Sequence, residues 1–132
     1  YNEEKTLLIA LKALPKSVDG IDEIEILIID DGSVDKTVQV AKDFGINNFV
    51  KIEKNSGLAN AFMKGITKAL EMKADIIVNT DADNQYNAED ISKLVKPILE
   101  KKADIVVGAR PIENISHFSL VKKMLQKLQK PL

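Results

Sequence analysis

Cysteine and tryptophan are absent from this chain of 132 residues, and histidine occurs once. Without thiols there is no disulfide framework and no thiolate metal centre, a composition that suits a reducing compartment. The single histidine, His117, has no partner near it in sequence and reads as a packing or capping residue. An excess of one charge is lacking as well. The 19 basic residues face 20 acidic ones, a net of -1, which excludes a global field for nucleic acid. No apolar stretch approaches the roughly 20 residues that span a bilayer, and no signal-peptide pattern is visible. Membrane contact by these residues is therefore expected to be peripheral. Repeats, low-complexity tracts and linkers are missing too, and the length corresponds to about one domain.

What is present is an alternation of strand-type apolar runs with helical patterns. The spacing predicts helices over about 3–14, 35–44, 57–72, 88–101 and 117–129, and strands over about 24–30, 48–52, 75–80 and 103–108. Such alternation specifies βαβ crossovers and a mostly parallel sheet with helices on both faces, a three-layer α/β/α sandwich. The polar opening Tyr1-Asn2-Glu3-Glu4 runs directly into the first helix, where a βαβ unit needs a strand before it. The expectation is that a first strand is missing from the chain as given. In the third helix Gly57, Ala61, Gly65 and Ala69 fall at spacing four beside a row of Leu58, Phe62, Ile66 and Leu70, so a smooth stripe able to approach a sheet closely adjoins a bulky one. Pro97 lies inside the fourth helical pattern and is expected to bend it.

The richest chemistry follows Ile76-Ile77-Val78, a run expected to be a strand buried on both faces. Its end delivers Thr80-Asp81-Ala82-Asp83-Asn84-Gln85 to the sheet rim, where open α/β sheets keep their ligands. Alternate residues of an extended chain point the same way, so Asp81, Asp83 and Gln85 can converge as hard oxygen ligands while Ala82 and Asn84 face elsewhere. The guest expected there is Mg²⁺ or Mn²⁺ carrying a phosphorylated substrate. The competing reading is a capping loop, although Asn87 or Ala88 can open the next helix without either aspartate.

Asp30-Asp31-Gly32-Ser33-Val34-Asp35-Lys36-Thr37 closes the strand over 24–30. Gly32 permits a tight turn and Ser33 or Asp35 can cap the next helix, which leaves Asp30 and Asp31 free to accept hydrogen bonds from an imide N–H or ribose hydroxyls. In Lys54-Asn55-Ser56-Gly57, Asn55 can contact a nucleoside, though capping by Asn55 or Ser56 is the stronger local reading. Arg110, after Gly108-Ala109, has a fork geometry that matches phosphate oxygens, with a surface salt bridge as the alternative. The closing stretch from Phe118 to Leu128, with Lys122, Lys123 and Lys127, is amphipathic and basic and suits a membrane surface or ordinary domain packing.

Taken together, Tyr1-Asn2-Glu3-Glu4, Asp30 to Thr37, Asn55-Ser56-Gly57-Leu58, Asp81 to Gln85 and Gly108-Ala109-Arg110 resemble, in order and approximate spacing, the family 2 glycosyltransferases, and within them the polyprenyl-phosphate sugar transferases. The resemblance spans nearly the whole chain. It implies the GT-A fold, with a nucleotide-sugar-binding core over 1–110 and an acceptor-side loop and helix over 111–132. It implies that Tyr1, Asn2, Glu3, Asp31 and Asn55 hold the nucleoside and that Asp81 approaches the ribose and sugar. Asp83 and Gln85 would hold Mg²⁺ or Mn²⁺ on the diphosphate, and Arg110, helped by Lys122, would bind the acceptor phosphate. The implied reaction is inverting transfer of a sugar from a UDP- or GDP-linked donor to a lipid phosphate, with Asp83 and Arg110 as the catalytic pair. The implied location is the cytoplasmic face of a membrane in a longer protein. Two other readings compete: a module that binds nucleotide without transferring anything, and a receiver-type phosphoacceptor domain. The second wants a lysine where Ala109-Arg110 stands.

Overall fold

The computed structural model describes residues 1–83 and 87–109. The expectations for Gln85, Arg110, His117, Lys122 and a helix over 117–129 concern positions outside the described residues.

Leu27–Asp31 (β1) and Asn48–Ile52 (β2) form a parallel ladder in which Leu27 faces Asn48 and Asp31 faces Ile52. Thr37–Asp43 (α2) makes the crossover between them. Before β1 comes Leu7–Ala13 (α1), and after β2 come Leu58–Glu71 (α3) and Asp90–Leu99 (α4). Period-two alternation deals the strand residues to two faces. Ile28 and its ladder partner Phe49 pack with Leu7 and Leu11 of α1, Ala41 of α2 and Ile46, the buried centre of the core. Ile29 and Val50 face the other way, toward α3. The expected layering, helices on both sides of a parallel sheet, is therefore present.

Element ends differ from the sequence reading for local reasons. The first helix begins at Leu7 because Glu3 O accepts the amides of both Thr6 and Leu7, a turn that consumes the preceding residues. The fourth runs through Pro97 and ends at Leu99, where Pro97 O accepts the Lys102 amide.

Two expected strands are corrected. Residues 75–80 and 103–108 join no ladder among the described residues, whose only sheet has two strands. Ile77 and Val78 are exposed rather than buried on both faces, and Ile105 and Val107 are 82 % and 84 % exposed. β-branched composition supplies the propensity for a strand, but a strand exists only where a neighbour lies about 4.8 Å away. The final described segment lies instead against α4, where the methyl carbons of Leu94 come near Gly108.

The small stripe of α3 performs as expected at its centre. A Cβ at Gly65 would stand 3.0 Å from Ile29 Cγ1 and 3.1 Å from its Cδ1, so helix and strand meet there at backbone range. The bulky row beside it does not bury: Leu58, Phe62 and Leu70 are exposed. Two strands form a ribbon no wider than the helix, about 10 Å, and cannot cover both rows. Replacing Gly65 by Val should cost about 1–3 kcal/mol of stability, read as a lowered midpoint in urea unfolding.

Candidate functional site

Three loops meet at the carboxyl end of β1. The centre is the pair Asp30-Asp31, which strand alternation sends to opposite faces. Asp30, 2 % exposed, points to the α1 and α2 side, and its Oδ1 accepts the Ser33 amide (3.1 Å) while its buried Oδ2 has no partner among the described residues. Asp31 turns toward α3. Its Oδ1 accepts the Ser56 amide (2.9 Å) and hydroxyl (2.8 Å), and its Oδ2 accepts the Gly57 amide (2.9 Å).

Asp31, expected to accept hydrogen bonds from a ligand, already accepts three from the loop before α3. The first amides of a helix lack intrahelical acceptors and carry the positive end of its dipole, so a nearby carboxylate is drawn to them. Nor does Asn55 or Ser56 cap α3, which has no side-chain cap of its own. Asp31 instead holds the two residues that lead into α3, through the Ser56 and Gly57 amides. The Ser56 amide, foremost, holds its pKa below the ordinary carboxylate value, outweighing the opposing effect of burial with help from the Ser56 hydroxyl and Gly57 amide. Gly32 lets the loops meet: it sits at φ +75°, and a Cβ there would stand 2.7 Å from the Asn55 nitrogen. Asn55 itself is exposed beside this contact.

On the opposite face the Tyr1–Glu4 loop is stitched to residues 33–37. The amides of Asn2, Glu3 and Glu4 donate in turn to Ser33 Oγ (2.9 Å), Thr37 Oγ1 (2.8 Å) and Asp35 Oδ2 (3.2 Å). In return Asn2 Oδ1 accepts the Val34 amide (3.0 Å) and Glu4 Oε2 accepts the Lys36 amide (3.0 Å). Glu3 accepts the Thr6 hydroxyl, so its carboxylate also serves the loop. Asn2 adopts a left-handed backbone at φ 55°, a conformation asparagine tolerates. Asp35 performs the capping role expected of it, with Oδ1 accepting the Thr37 amide (2.9 Å). Desolvation raises its pKa, but the Thr37 hydroxyl and amide and the Glu4 amide together prevail and lower it. The ring of Tyr1 is 53 % exposed beside this network.

A separate loop carries the acidic turn. Asp81 is exposed and Asp83 half-buried, and between them Ala82 packs against the cluster of Leu7, Leu11, Ala41 and Ile46. Ala82 thus faces the interior, on a turn at 82–83 rather than on an extended strand. The next helix start is served by Asn87, whose Oδ1 accepts the Glu89 amide (3.1 Å), leaving capping by either aspartate unnecessary. Among the described residues no group of three His, Cys, Asp or Glu forms a metal cluster. The oxygens on the turn are hard donors of the kind Mg²⁺ and Mn²⁺ take, and the expected third ligand, Gln85, lies outside the described residues. Sequence reasoning missed the five-bond stitching. The only signal was the run of hydroxyl and carboxylate side chains at alternate positions 33, 35 and 37.

The sequence profile of Glycosyl transferase family 2 matches residues 1–131. An uncharacterized protein of Methanocaldococcus jannaschii is 38 % identical over 126 residues, 94 % of this chain and 50 % of its own length. A UDP-N-acetylglucosamine–dolichyl-phosphate N-acetylglucosaminyltransferase of Methanococcus voltae is 35 % identical over 94 % of this chain and 55 % of its own. A dolichol-phosphate mannosyltransferase of Pyrococcus furiosus is 29 % identical over 96 % of this chain and 36 % of its own. The chain thus spans about half the length of the first two relatives. No solved structure matches it.

Because Asp31 and Asp35 both titrate lower in the folded state, their stabilisation is complete above the ordinary value of 3.8 and is lost as the pH falls through the lowered values. The urea midpoint should therefore drop between pH 5 and pH 3, and the double variant Asp31→Asn, Asp35→Asn should show a shallower decline from a lower starting point, with faster amide exchange at Ser56 and Gly57.

Proposed function

The chain belongs to glycosyl transferase family 2 and has its GT-A α/β fold, and from that premise we propose that the whole protein transfers a sugar from a nucleoside-diphosphate sugar to a polyprenyl phosphate. The observation that carries the reading is the meeting of the 1–4, 30–37 and 54–57 loops at the end of β1, with the acidic turn seated on the same core through Ala82. The names of the M. voltae and P. furiosus relatives, which specify dolichyl or dolichol phosphate, favour a lipid phosphate as acceptor. Membership of this family argues against the phosphoacceptor-domain alternative.

In this reading Tyr1, Asn2, Glu3, Asp31 and Asn55 surround the nucleoside. Asp31 already holds the loop before α3, yet a carboxylate has about four acceptor sites and three donors among the described residues reach it. Asp81 faces the ribose and sugar, while Asp83 and Gln85 hold Mg²⁺ or Mn²⁺. When bound, that cation supplies positive charge against the diphosphate as it departs. Arg110, with Lys122, binds and aims the acceptor phosphate. One phosphate oxygen forms a bond to the anomeric carbon from the face opposite the nucleotide, and the bond from that carbon to the diphosphate oxygen breaks with its electron pair leaving on the nucleoside diphosphate. The acceptor is already anionic near neutral pH, so positioning matters more than a general base. No helix among the described residues is long and apolar enough to cross a membrane. Contact with the cytoplasmic face of one is part of the proposal, through the basic stretch after Phe118.

In the full-length protein, Asp83→Ala should weaken Mn²⁺-dependent binding of a nucleoside diphosphate by about 10²-fold in calorimetry. Affinity unchanged with metal and with chelator would remove Asp83 from the site. Arg110→Ala should lower transfer to polyprenyl phosphate by about 10²-fold while sparing nucleotide affinity; equal loss of both would assign the arginine to the donor instead. A full-length protein that binds nucleotide but transfers nothing across UDP- and GDP-sugars is the non-catalytic alternative.

A further inference from the structure

Resting on that reading, we propose that Thr37 is a positioning residue for the donor nucleoside, acting through the backbone of Glu3. Its hydroxyl is buried, with the residue only 5 % exposed, and lies between two loops that have no covalent reason to stay in register. It donates its proton to Asp35 Oδ1, which directs an oxygen lone pair at the Glu3 amide 2.8 Å away. Asp35 passes the arrangement on, because its other oxygen holds the amide of Glu4. Three consecutive amides of the Tyr1–Glu4 loop are thus spaced by three side chains at alternate positions of one segment, Ser33, Asp35 and Thr37.

The hydroxyl is not needed for helix α2, whose first amide is already taken by Asp35 Oδ1. What it fixes is the height and register of the loop that carries Tyr1 and Asn2, and with them the left-handed backbone of Asn2. None of these bonds reaches the 81–83 turn or the 104–109 segment. Losing the hydroxyl therefore loosens the nucleoside side of the site and leaves the cation and acceptor sides alone. That asymmetry separates positioning from a general structural role.

The test uses the full-length protein, with UDP and GDP titrated calorimetrically in Mn²⁺ and transfer to polyprenyl phosphate followed kinetically. Thr37→Val keeps the shape and removes the hydroxyl, whereas Thr37→Ser keeps the hydroxyl. Thr37→Val should weaken nucleoside-diphosphate binding about tenfold and raise the donor KM to match, with kcat and acceptor KM changing far less, and Thr37→Ser should restore the affinity. Ser33→Ala, on the half-buried rim, should move donor affinity in the same direction and carries the test if Thr37→Val does not fold by circular dichroism. Unchanged nucleotide affinity in both variants, equal defects in Thr37→Val and Thr37→Ser, or a matching rise in acceptor KM would overturn the positioning role alone. A wild-type protein that binds neither UDP nor GDP overturns the glycosyl-transfer reading and this inference with it.

Discussion

The bond between the Asp31 carboxylate and the opening of α3 is the constraint from which the rim of the sheet is built. One side chain at the last position of β1 accepts two backbone amides and a hydroxyl from the loop after β2. Amides at that helix start would otherwise face no acceptor, since α3 brings no side-chain cap. The approach is possible only because the next residue has no side chain: the backbone of Lys54 and Asn55 occupies the place a Cβ at Gly32 would take. An acceptor and an absence, side by side in the sequence, together bring β1 and α3 to a common origin.

Neighbouring carboxylates would ordinarily repel, and alternation along β1 resolves the conflict. Asp30 lies beneath the Ser33 turn on the α1 side and Asp31 on the α3 side, each facing N–H donors rather than the other. The same alternation divides labour between the layers. One face of the strand ends in the stitched loops of residues 2–4 and 33–37, the other in the start of α3.

Much of this was legible in the residues, and the exceptions share a cause. The bounds of β2 coincide with the expected 48–52, and α2 and α3 fall within two residues of theirs, because periodicity is a local property. Pairing is not local, so β-branched runs at 76–78 and 105–107 looked like strands although no neighbour lies beside them among the described residues. Local reading looks to Asn55 or Ser56 for the start of α3, whereas the Ser56 amide and hydroxyl are held by Asp31, 25 positions earlier. Likewise Asp35 was legible as a cap, while its hold on Glu4, 31 positions away, required knowing which loops face each other.

Ala82 ties the acidic turn to the interior of the molecule. Its methyl group rests on the cluster of Leu7, Leu11, Ala41 and Ile46, so the distance between the flanking carboxylates is governed from below, by how tightly that cluster is filled. A methylene gained or lost in those apolar residues would tilt the pair without altering a single charge. The stance of those two side chains is then a trait that drift in the oily interior can retune, far from the polar residues of the rim.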